Sequence, residues 1–342
     1  MENFIMILKN NLAISRFIVI LILCSGLAGF NSCNRGKKNH NIKLAHGLDV
    51  THPVHKAMVF MARRVDELSE GKLEVQIYPN QQLGTERQCV ELLQVGSIDM
   101  TKVSAAVMEG FSPVFKVLSL PYIFRDLDHA HKIYDGEIGK EILLKSEKAW
   151  LRGLCFYDAG ARSFYSKEKP ILTPDDLNGL KIRVMSSNTA VNMIKALGGS
   201  PTPISWGELY TALQGGVVDA AENNPPSFNI SHHYEICKYY SLDEHTYIPD
   251  VLLISTRVWR KLNAEEKDWL QTAVNESVLY QRKIWKESEK EAFEIFKESG
   301  VEIFYPDKKL FSEKVKPMYD NYKNDKEVFE FITRINGVQK KN

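Results

Sequence analysis

Hydrophobic and polar positions in the first part of the chain follow two different periods. Apolar residues recur every three or four positions between residues 54 and 68, which indicates one buried face of a helix. They recur at every second position between residues 73 and 78, which indicates a half-buried strand. Further strands are predicted at residues 42–46 and 98–103, with a second helix after Thr85. This alternation of strands and helices favours an α/β sheet covered by helices.

The same rhythm returns in the middle of the chain. Strands are predicted at residues 151–157, 181–185 and 217–221, with helices at 188–197 and 206–214. Two α/β units predict a two-lobed fold like that of periplasmic binding proteins, with a ligand cleft between the lobes. Ligands of such sheets bind beyond the carboxyl ends of the strands. We expect residues 42–159 with 249–288 to form lobe I, and 160–248 with 289–336 to form lobe II.

A long helix is predicted to bridge these lobes. Asn263 is a suitable N-cap, and neither Pro nor Gly follows before Gly300. A helix of that length would extend about 50 Å. Two helices broken near Lys286 are the alternative. Residues 111–124 are predicted to form an extended buried segment, and residues 311–335 to form an exposed, charge-rich helical region.

Composition and charge narrow the classes of partner. The 342 residues are 44% hydrophobic and 25% charged, with a net charge of +1, as in a soluble globular protein with material for two domains. The basic residues are scattered along the sequence, so neither nucleic acid nor an anionic membrane surface is predicted as a partner. No metal or cofactor motif is found. Cys89, Cys155 and Cys237 are too widely spaced for a metal site and are interpreted as buried residues, with a single disulfide left open.

The amino terminus has the pattern of an export signal. Lys9 and Arg16 precede an apolar run at residues 17–30 that is short for a membrane span. Cys33 follows, and we interpret it as the lipid-bearing residue of a loose lipoprotein cleavage site. A plain secretory signal or an uncleaved helix anchor are the alternatives. A lipid on Cys33 would tether the body to a bacterial membrane on its periplasmic side, with no other membrane contact.

Two arginines on predicted strands are the strongest candidates for chemistry. Arg162 and Arg183 each lie close to apolar residues. A guanidinium cannot lose its proton, so its burial requires an anion. Its planar fork of donors matches a carboxylate better than a lysine does. We therefore expect a small organic anion, whereas an internal salt bridge is the alternative for either arginine.

Six other residues complete the candidate site, each with a structural alternative. Trp206 is a platform for the apolar face of a ligand or a core residue. Asn223 and Asn224 bind hydroxyl or carboxylate groups or form a turn. Glu86 accepts hydroxyl hydrogen bonds or interacts with a helix dipole. His46 and His52 flank the first strand and its loop, where ligands gather, or serve in packing.

The ordered motifs of the chain resemble the substrate-binding proteins of tripartite ATP-independent periplasmic (TRAP) transporters, the DctP family. The resemblance covers nearly the whole predicted mature chain. It rests on Gln82-Leu83-Gly84 with Glu86, Gly96-Ser97-Ile98-Asp99, Leu118-Ser119-Leu120-Pro121-Tyr122, Gly160-Ala161-Arg162, Leu177-Asn178-Gly179-Leu180-Lys181-Ile182-Arg183, Gly199-Ser200-Pro201-Thr202-Pro203 and Leu209-Tyr210-Thr211-Ala212-Leu213-Gln214-Gly215-Gly216-Val217-Val218-Asp219.

The resemblance implies a binding protein that closes over an organic acid and delivers it to small and large membrane subunits, without a cofactor. It implies that Arg183 is the main clamp for the ligand carboxylate, assisted by Arg162 and Asn223. The segments at residues 222–228 and 239–245 look like those of the branch that binds sugar acids, particularly uronates such as glucuronate or galacturonate. Sialic acid, diketogulonate, aldonates and dicarboxylates are alternative ligands.

Two other classes of function remain as alternatives. One is an exported enzyme that acts on sugar acids, although the sequence has no Gly-x-Ser-x-Gly elbow, His-Glu-x-x-His motif, phosphate loop or dinucleotide fingerprint. The other is a sensor that presents its ligand to a receptor. We therefore expect a binding protein and not an enzyme.

Overall fold

The computed structural model describes residues 40–339, so the predicted leader and Cys33 lie outside the described residues. The strands are β1 His40–Ala45, β2 Leu73–Tyr78, β3 Met100–Ser104, β4 Leu151–Tyr157, β5 Arg162–Ser166, β6 Lys181–Val184, β7 Ser200–Pro203, β8 Ala220–Asn223, β9 Tyr239–Thr246, β10 Asp250–Ser255 and β11 Glu302–Phe304. The α-helices are α1 Pro53–Ser69, α2 Glu86–Val95, α3 Ala105–Met108, α4 Leu127–Asp135, α5 Glu137–Lys145, α6 Asn188–Leu197, α7 Leu209–Gln214, α8 Pro225–Ile230, α9 Thr256–Lys261, α10 Ala264–Glu298, α11 Lys308–Val315 and α12 Lys326–Gly337.

The strands form two separate sheets, which confirms the predicted two-lobed α/β fold. The first sheet has the order β2-β1-β3-β10-β4, and the second has the order β11-β9-β5-β8-β6-β7. In the first, β1 and β3 are parallel, while β10 is antiparallel to both β3 and β4. The chain passes from the first sheet to the second after β4 and returns between β9 and β10. Each lobe is therefore built from segments that are distant in sequence.

Helix α10 is continuous over 35 residues, so the alternative of a break near Lys286 is wrong. Asn263 accepts a hydrogen bond from the amide of Glu266, whose carboxylate accepts one from the amide of Asn263. Such a capping box satisfies amides that a helix start leaves without partners. Upstream side chains of α10, including Trp285, pack in a core of the first sheet, whereas Phe296 packs in a core of the second. The helix thus bridges the two lobes as predicted.

Local structure departs from the sequence prediction in three places. The predicted helix at residues 206–214 begins as the 3-10 helix Trp206–Glu208 before α7, and the strand predicted at residues 217–221 starts only at Ala220. The segment predicted as extended at residues 111–124 contains the 3-10 helix Pro113–Ser119. All six glycine, proline and polar-rich turns that cause these shifts act locally, so only the element edges move.

The carboxyl-terminal region divides between the lobes, which corrects its expected assignment to lobe II as a whole. Helix α11 packs in the second lobe through Phe311 and Val315. Helix α12 instead places Val328, Phe331 and Ile335 in a core of the first lobe. Its apolar stripe finds a hydrophobic partner there, so the region is not simply exposed as expected. The remaining domain boundaries stay a proposal.

Cys89, Cys155 and Cys237 are buried free cysteines. This answers the question of a disulfide for these three residues and agrees with their interpretation as buried side chains. Within residues 40–339, the structure has no helix both long and apolar enough to cross a membrane.

The cap of α10 gives a first testable prediction. Replacing Asn263 by Ala removes the acceptor for the amide of Glu266, and we expect the free energy of unfolding to fall by about 1 kcal/mol. Urea denaturation measures this change. Asn263→Asp is the matched control because it keeps an acceptor at the cap, and its stability should remain near that of the wild type. Equal losses in both variants would contradict the role of the cap.

Candidate ligand-binding site

A cavity lies between the two sheets and takes its walls from both. With its mouth it encloses about 900 Å³, within the range of roughly 300–1,000 Å³ that is usual for small-molecule sites. The polar and charged residues that line it are His52, Thr85, Glu86, Arg87, Lys102, Ser104, Arg162, Arg183, Ser186, Ser205, Asn223, Asn224, Ser227 and Asp250. Because β6 and β8 are parallel and both end at the cavity, the site is where the sheet topology predicts a ligand.

Arg183 is a buried cation without an acidic partner. Its flanking residues on β6, Ile182 and Val184, are fully buried and fix the strand, and Arg183 itself is only 2% exposed. Its Nε donates to the carbonyl oxygen of Ile204 at 2.9 Å. Among the described residues, no carboxylate pairs with its guanidinium, and its buried Nη1 has no hydrogen-bond acceptor. Burial lowers the pKa of Arg183, but a guanidinium stays charged at neutral pH.

Arg162 has the opposite environment, because Glu222 neutralises it. Its Nε donates to Oε2 of Glu222, and its Nη2 donates to Oε1 at 2.9 Å. Antiparallel pairing of β5 with β8 brings the two residues together. Burial opposes the charge of Glu222, but Arg162 and then His245 outweigh it and lower the pKa of Glu222 to about 2. For Arg162 the structure therefore contains the salt bridge that was the alternative interpretation of the sequence.

His245 extends this charge network behind the cavity. Its Nδ1 donates to Oδ2 of Asp243 at 2.8 Å, and its Nε2 lies 3.5 Å from Oε2 of Glu222. Burial opposes protonation of His245, but Asp243 and Glu222 outweigh that effect and raise its pKa to about 9. The imidazolium therefore helps to hold Glu222 in place beside Arg162.

Lys102 forms a second paired centre on the wall contributed by the first lobe. It is 1% exposed, and its Nζ lies 3.1 Å from both Oε1 of Glu86 and Oδ1 of Asp250. Burial opposes its charge, but Asp250 and Glu86 outweigh it and raise the pKa of Lys102. Since two carboxylates share one ammonium group, this wall presents negative charge and acceptor oxygens to the cavity.

The two asparagines have different roles. Oδ1 of Asn223 accepts from Nη1 of Arg162 at 2.7 Å and from the amide of Asn224 at 2.9 Å. Asn224 caps α8, since its Oδ1 accepts from the amide of Ser227 at 2.8 Å. Both residues line the cavity, but Asn224 has the turn chemistry that the sequence left open as the alternative. Asn223 thus turns its amide NH₂ group toward other acceptors.

His52 and His46 differ in position. Burial lowers the pKa of His52 to about 3, and its Nδ1 accepts from the amide of Val54, so Nε2 carries the proton. That Nε2 lies 3.3 Å from Oγ of Ser227, in the other lobe. His46 does not line the cavity, because its Nδ1 binds the amide of Leu48 and its Nε2 faces His55. The structure corrects the expectation that His46 contacts a ligand.

Two tryptophans provide the flat surfaces of the cavity. The centroid of the Trp206 ring lies 5.8 Å from Cζ of Arg183, and the ring is half-buried. Trp285, from α10, was not predicted as a site residue. Its indole Nε1 is buried and has no hydrogen-bond acceptor among the described residues. Arg183 and Trp285 therefore each bring a donor that the protein leaves without an acceptor.

Sequence reasoning also missed Lys102 and Asp250. Each is a charged residue in a short apolar strand, Lys102 next to Val103 and Asp250 just before Val251-Leu252-Leu253. That pattern is the same signal that drew attention to Arg162 and Arg183. Within residues 40–339, no three His, Cys, Asp or Glu side chains are grouped so that they could hold a metal ion.

Comparison with known proteins places this geometry in a context. A family model described as bacterial extracellular solute-binding protein, family 7 (DctP), matches residues 44–325. A solved TRAP periplasmic solute-binding protein from Xanthobacter autotrophicus PY2, with bound β-D-galacturonate, is 39% identical with a TM-score of 0.85, and the match covers 87% of this chain and 100% of that chain. Another from Anaerococcus prevotii DSM 20548, with bound α/β D-glucuronate, is 36% identical with a TM-score of 0.85, covering 87% and 97%.

A curated relative is similar over most of its length. The uncharacterized protein YiiZ from Salmonella typhimurium strain LT2 is 41% identical over 296 residues, which cover 86% of this chain and 90% of the relative. The match therefore spans both lobes and the cavity between them.

The buried His245 predicts a dependence of stability on pH. Its pKa in the folded protein is about 9, above the value of 6.5 for an ordinary histidine. Its contribution is therefore complete below pH 6.5 and is lost as the pH rises toward 9, by up to roughly 3 kcal/mol. Urea denaturation across this range should show the free energy of unfolding falling in the wild type.

His245→Asn is the comparison, because the variant removes the titrating group. Its stability should change less between pH 6.5 and 9, whatever its absolute value. His46, His52 and His233 have lowered pKa values, so their effects fall below pH 6.5 and do not overlap. The same slope in variant and wild type would show that His245 does not titrate in this way.

Proposed function

This chain belongs to the DctP family of bacterial extracellular solute-binding proteins, family 7, which serves TRAP transporters, and from that premise we propose that it captures a hexuronate such as glucuronate or galacturonate. The single observation that carries the proposal is the buried guanidinium of Arg183, which has no carboxylate partner within residues 40–339. A ligand carboxylate supplies the missing negative charge. Arg183 meets it with two parallel donors, the strongest geometry available for such a pair.

The remaining charges of the cavity favour hydroxyl groups over a second acid. Arg162 and Lys102 are already neutralised by carboxylates, so they have no charge left for another anion. Glu86 and Asp250 offer acceptor oxygens, to which sugar hydroxyls donate. A second carboxylate in that part of the cavity would face like charges, which is unfavourable. A monocarboxylate with several hydroxyls therefore fits better than a C4 dicarboxylate.

The aromatic residues fit the same ligand. Trp206 presents a ring face beside Arg183, and a sugar ring has apolar C–H faces that pack on such a surface. The indole Nε1 of Trp285 and the amide of Asn223 add donors for ring or hydroxyl oxygens. Solved relatives with bound galacturonate and glucuronate support this choice.

Capture involves both lobes. His52 reaches Ser227 across the cavity, and Glu109 of the first lobe accepts from Oγ of Ser187 and from the amide of Thr189 in the second. A ligand held by Arg183 on one lobe and by Glu86 and Asp250 on the other binds the closed arrangement better than an open one. The closed population rises in proportion to that difference in affinity.

Delivery and location follow from the family. We propose that the loaded protein releases its ligand, chemically unchanged, to the small and large membrane subunits of a TRAP transporter. We also propose that residues 1–33 direct export and that Cys33 carries the lipid that tethers the body. The carboxylates of the cavity are held by Lys102 or Arg162, which suits fixed binding contacts more than proton transfer.

The clamp predicts the effect of a conservative substitution. Arg183→Lys keeps the charge but loses the paired donors, so calorimetry should show glucuronate binding weakened by roughly 30-fold to several thousand-fold. The free energy of unfolding without ligand should not fall, because the protein itself does not pair with this guanidinium. Arg87→Lys is the matched control, since Arg87 also lines the cavity but pairs with Glu91 at the surface. Near-normal affinity in Arg183→Lys would defeat the assignment.

The charge distribution predicts the order of affinities in a ligand panel. Glucuronate or galacturonate should bind most tightly, and glucose, which differs from glucuronate only in lacking the carboxylate, should bind at least about 30-fold more weakly. Succinate should also bind more weakly, because its second carboxylate meets Glu86 and Asp250. Calorimetric titration of the four compounds decides this. Tighter binding of succinate than of both uronates would refute the proposed ligand class.

A further inference from the structure

Aromatic and basic side chains gather at one edge of the first sheet, away from the cavity. Cζ of Arg257 and of Arg260 lie 5.2 and 5.9 Å from the ring centroid of Trp150. Nearby, Nζ of Lys267 lies 5.8 Å from the ring centroid of Trp259. The basic-aromatic patch is the set formed by Trp150, Arg257, Trp259, Arg260, Lys261 and Lys267.

The charges of this patch are not neutralised by the protein. Among the described residues, Arg257, Arg260 and Lys261 form no ion pair, and all three are exposed. Trp150 is 47% exposed and has a φ of 64°. That left-handed backbone is unusual for a bulky residue and is more often taken by Gly or Asn. Neither burial nor backbone preference therefore accounts for a tryptophan at this position.

The patch lies opposite the cavity and beside the start of the folded chain. Strand β10 ends at Ser255, and the amide of Thr256 donates to the carbonyl oxygen of Trp150, whereas Asp250 at the other end of β10 lines the cavity. Because β1 is parallel to β3 and β3 is antiparallel to β10, β1 starts at the edge where β10 ends. The chain therefore enters the first sheet at the same edge as the patch.

The length of chain before β1 limits how far the body can be from its tether. This step rests on the proposed lipid at Cys33. Residues 34–39 separate Cys33 from His40. An extended chain spans at most about 3.6 Å per residue, so the membrane-bound residue lies within about 25 Å of the start of β1. The segment also carries Arg35, Lys37 and Lys38, which suit an anionic surface.

We propose that the basic-aromatic patch is a membrane-contact surface that binds the anionic phospholipid headgroups of the bilayer carrying the tether. Indole rings suit the boundary between headgroups and acyl chains, and unpaired cations are attracted to anionic lipid. A single lipid chain holds a protein only marginally, and a basic surface supplies a second, additive attachment. With the patch on the bilayer, the cavity edge of the first sheet points away from the membrane, toward the solution that contains the ligand.

This inference revises an expectation from the sequence. The basic residues are scattered along the chain, which argued against an anionic membrane surface as a partner. The fold brings together Trp150, the segment Thr256–Lys261 and Lys267, which the sequence separates by more than a hundred residues in the first case. The surface exists only after β4 and β10 have paired.

Vesicle sedimentation tests the surface without the lipid anchor. Asn41–Asn342 form one compact unit, and this part of the chain matches the complete length of a solved relative, so a chain that starts at His40 contains the whole folded body. It should sediment with vesicles that contain phosphatidylglycerol in phosphatidylcholine, and not with pure phosphatidylcholine. The triple variant Arg257→Gln, Arg260→Gln, Lys261→Gln should bind on the order of 100-fold more weakly, at about fivefold for each charge.

The matched control has the same net charge as the triple variant. Lys286→Gln, Lys290→Gln, Lys297→Gln removes three exposed lysines of α10 outside the patch and should bind like the wild type. Trp150→Asn, which suits the left-handed backbone, should also weaken binding. All variants should keep the affinity for glucuronate, so a wrong ligand assignment and a wrong membrane surface are distinguishable. Absent vesicle binding, binding to neutral lipid alone, or an equal loss in the control would overturn the proposal.

Discussion

The buried guanidinium of Arg183 is the interaction on which the rest of the site depends. A charge removed from water needs a partner, and within residues 40–339 no carboxylate meets this one. The flanking strand residues prevent it from leaving, because Ile182 and Val184 are fully buried in the core. The site therefore keeps its binding energy for a guest, since the protein has not spent that charge on an internal contact.

The other charges of the cavity are arranged so that only this one remains available. Glu222 neutralises Arg162, and Lys102 serves both Glu86 and Asp250. One wall thus attracts an acid group, while the opposite wall accepts hydrogen bonds and repels a second acid. This division of charge gives a physical account of why similar proteins are found with sugar acids that carry one carboxylate and several hydroxyls.

The two-lobed architecture makes that arrangement possible. Each wall belongs to a different sheet, and the chain passes between the sheets after β4 and again before β10. Helix α10 joins both cores and brings Trp285 into the cavity. The same sheet pairing that places Asp250 at the cavity places the end of β10 beside Trp150, so the ligand site and the proposed membrane-contact surface lie at opposite edges of one sheet.

The sequence by itself determined the features that depend on neighbours a few residues apart. The period of apolar residues gave β4 and α6 at the predicted residues, and the capping residue Asn263 with an unbroken run gave α10. Apolar neighbours on a strand were enough to identify Arg183 as a buried cation. Only the tertiary structure decided which charges are paired. Arg162 meets Glu222 across 60 positions, and Lys102 meets Asp250 across 148, because strand order sets these distances and local periodicity carries no information about strand order.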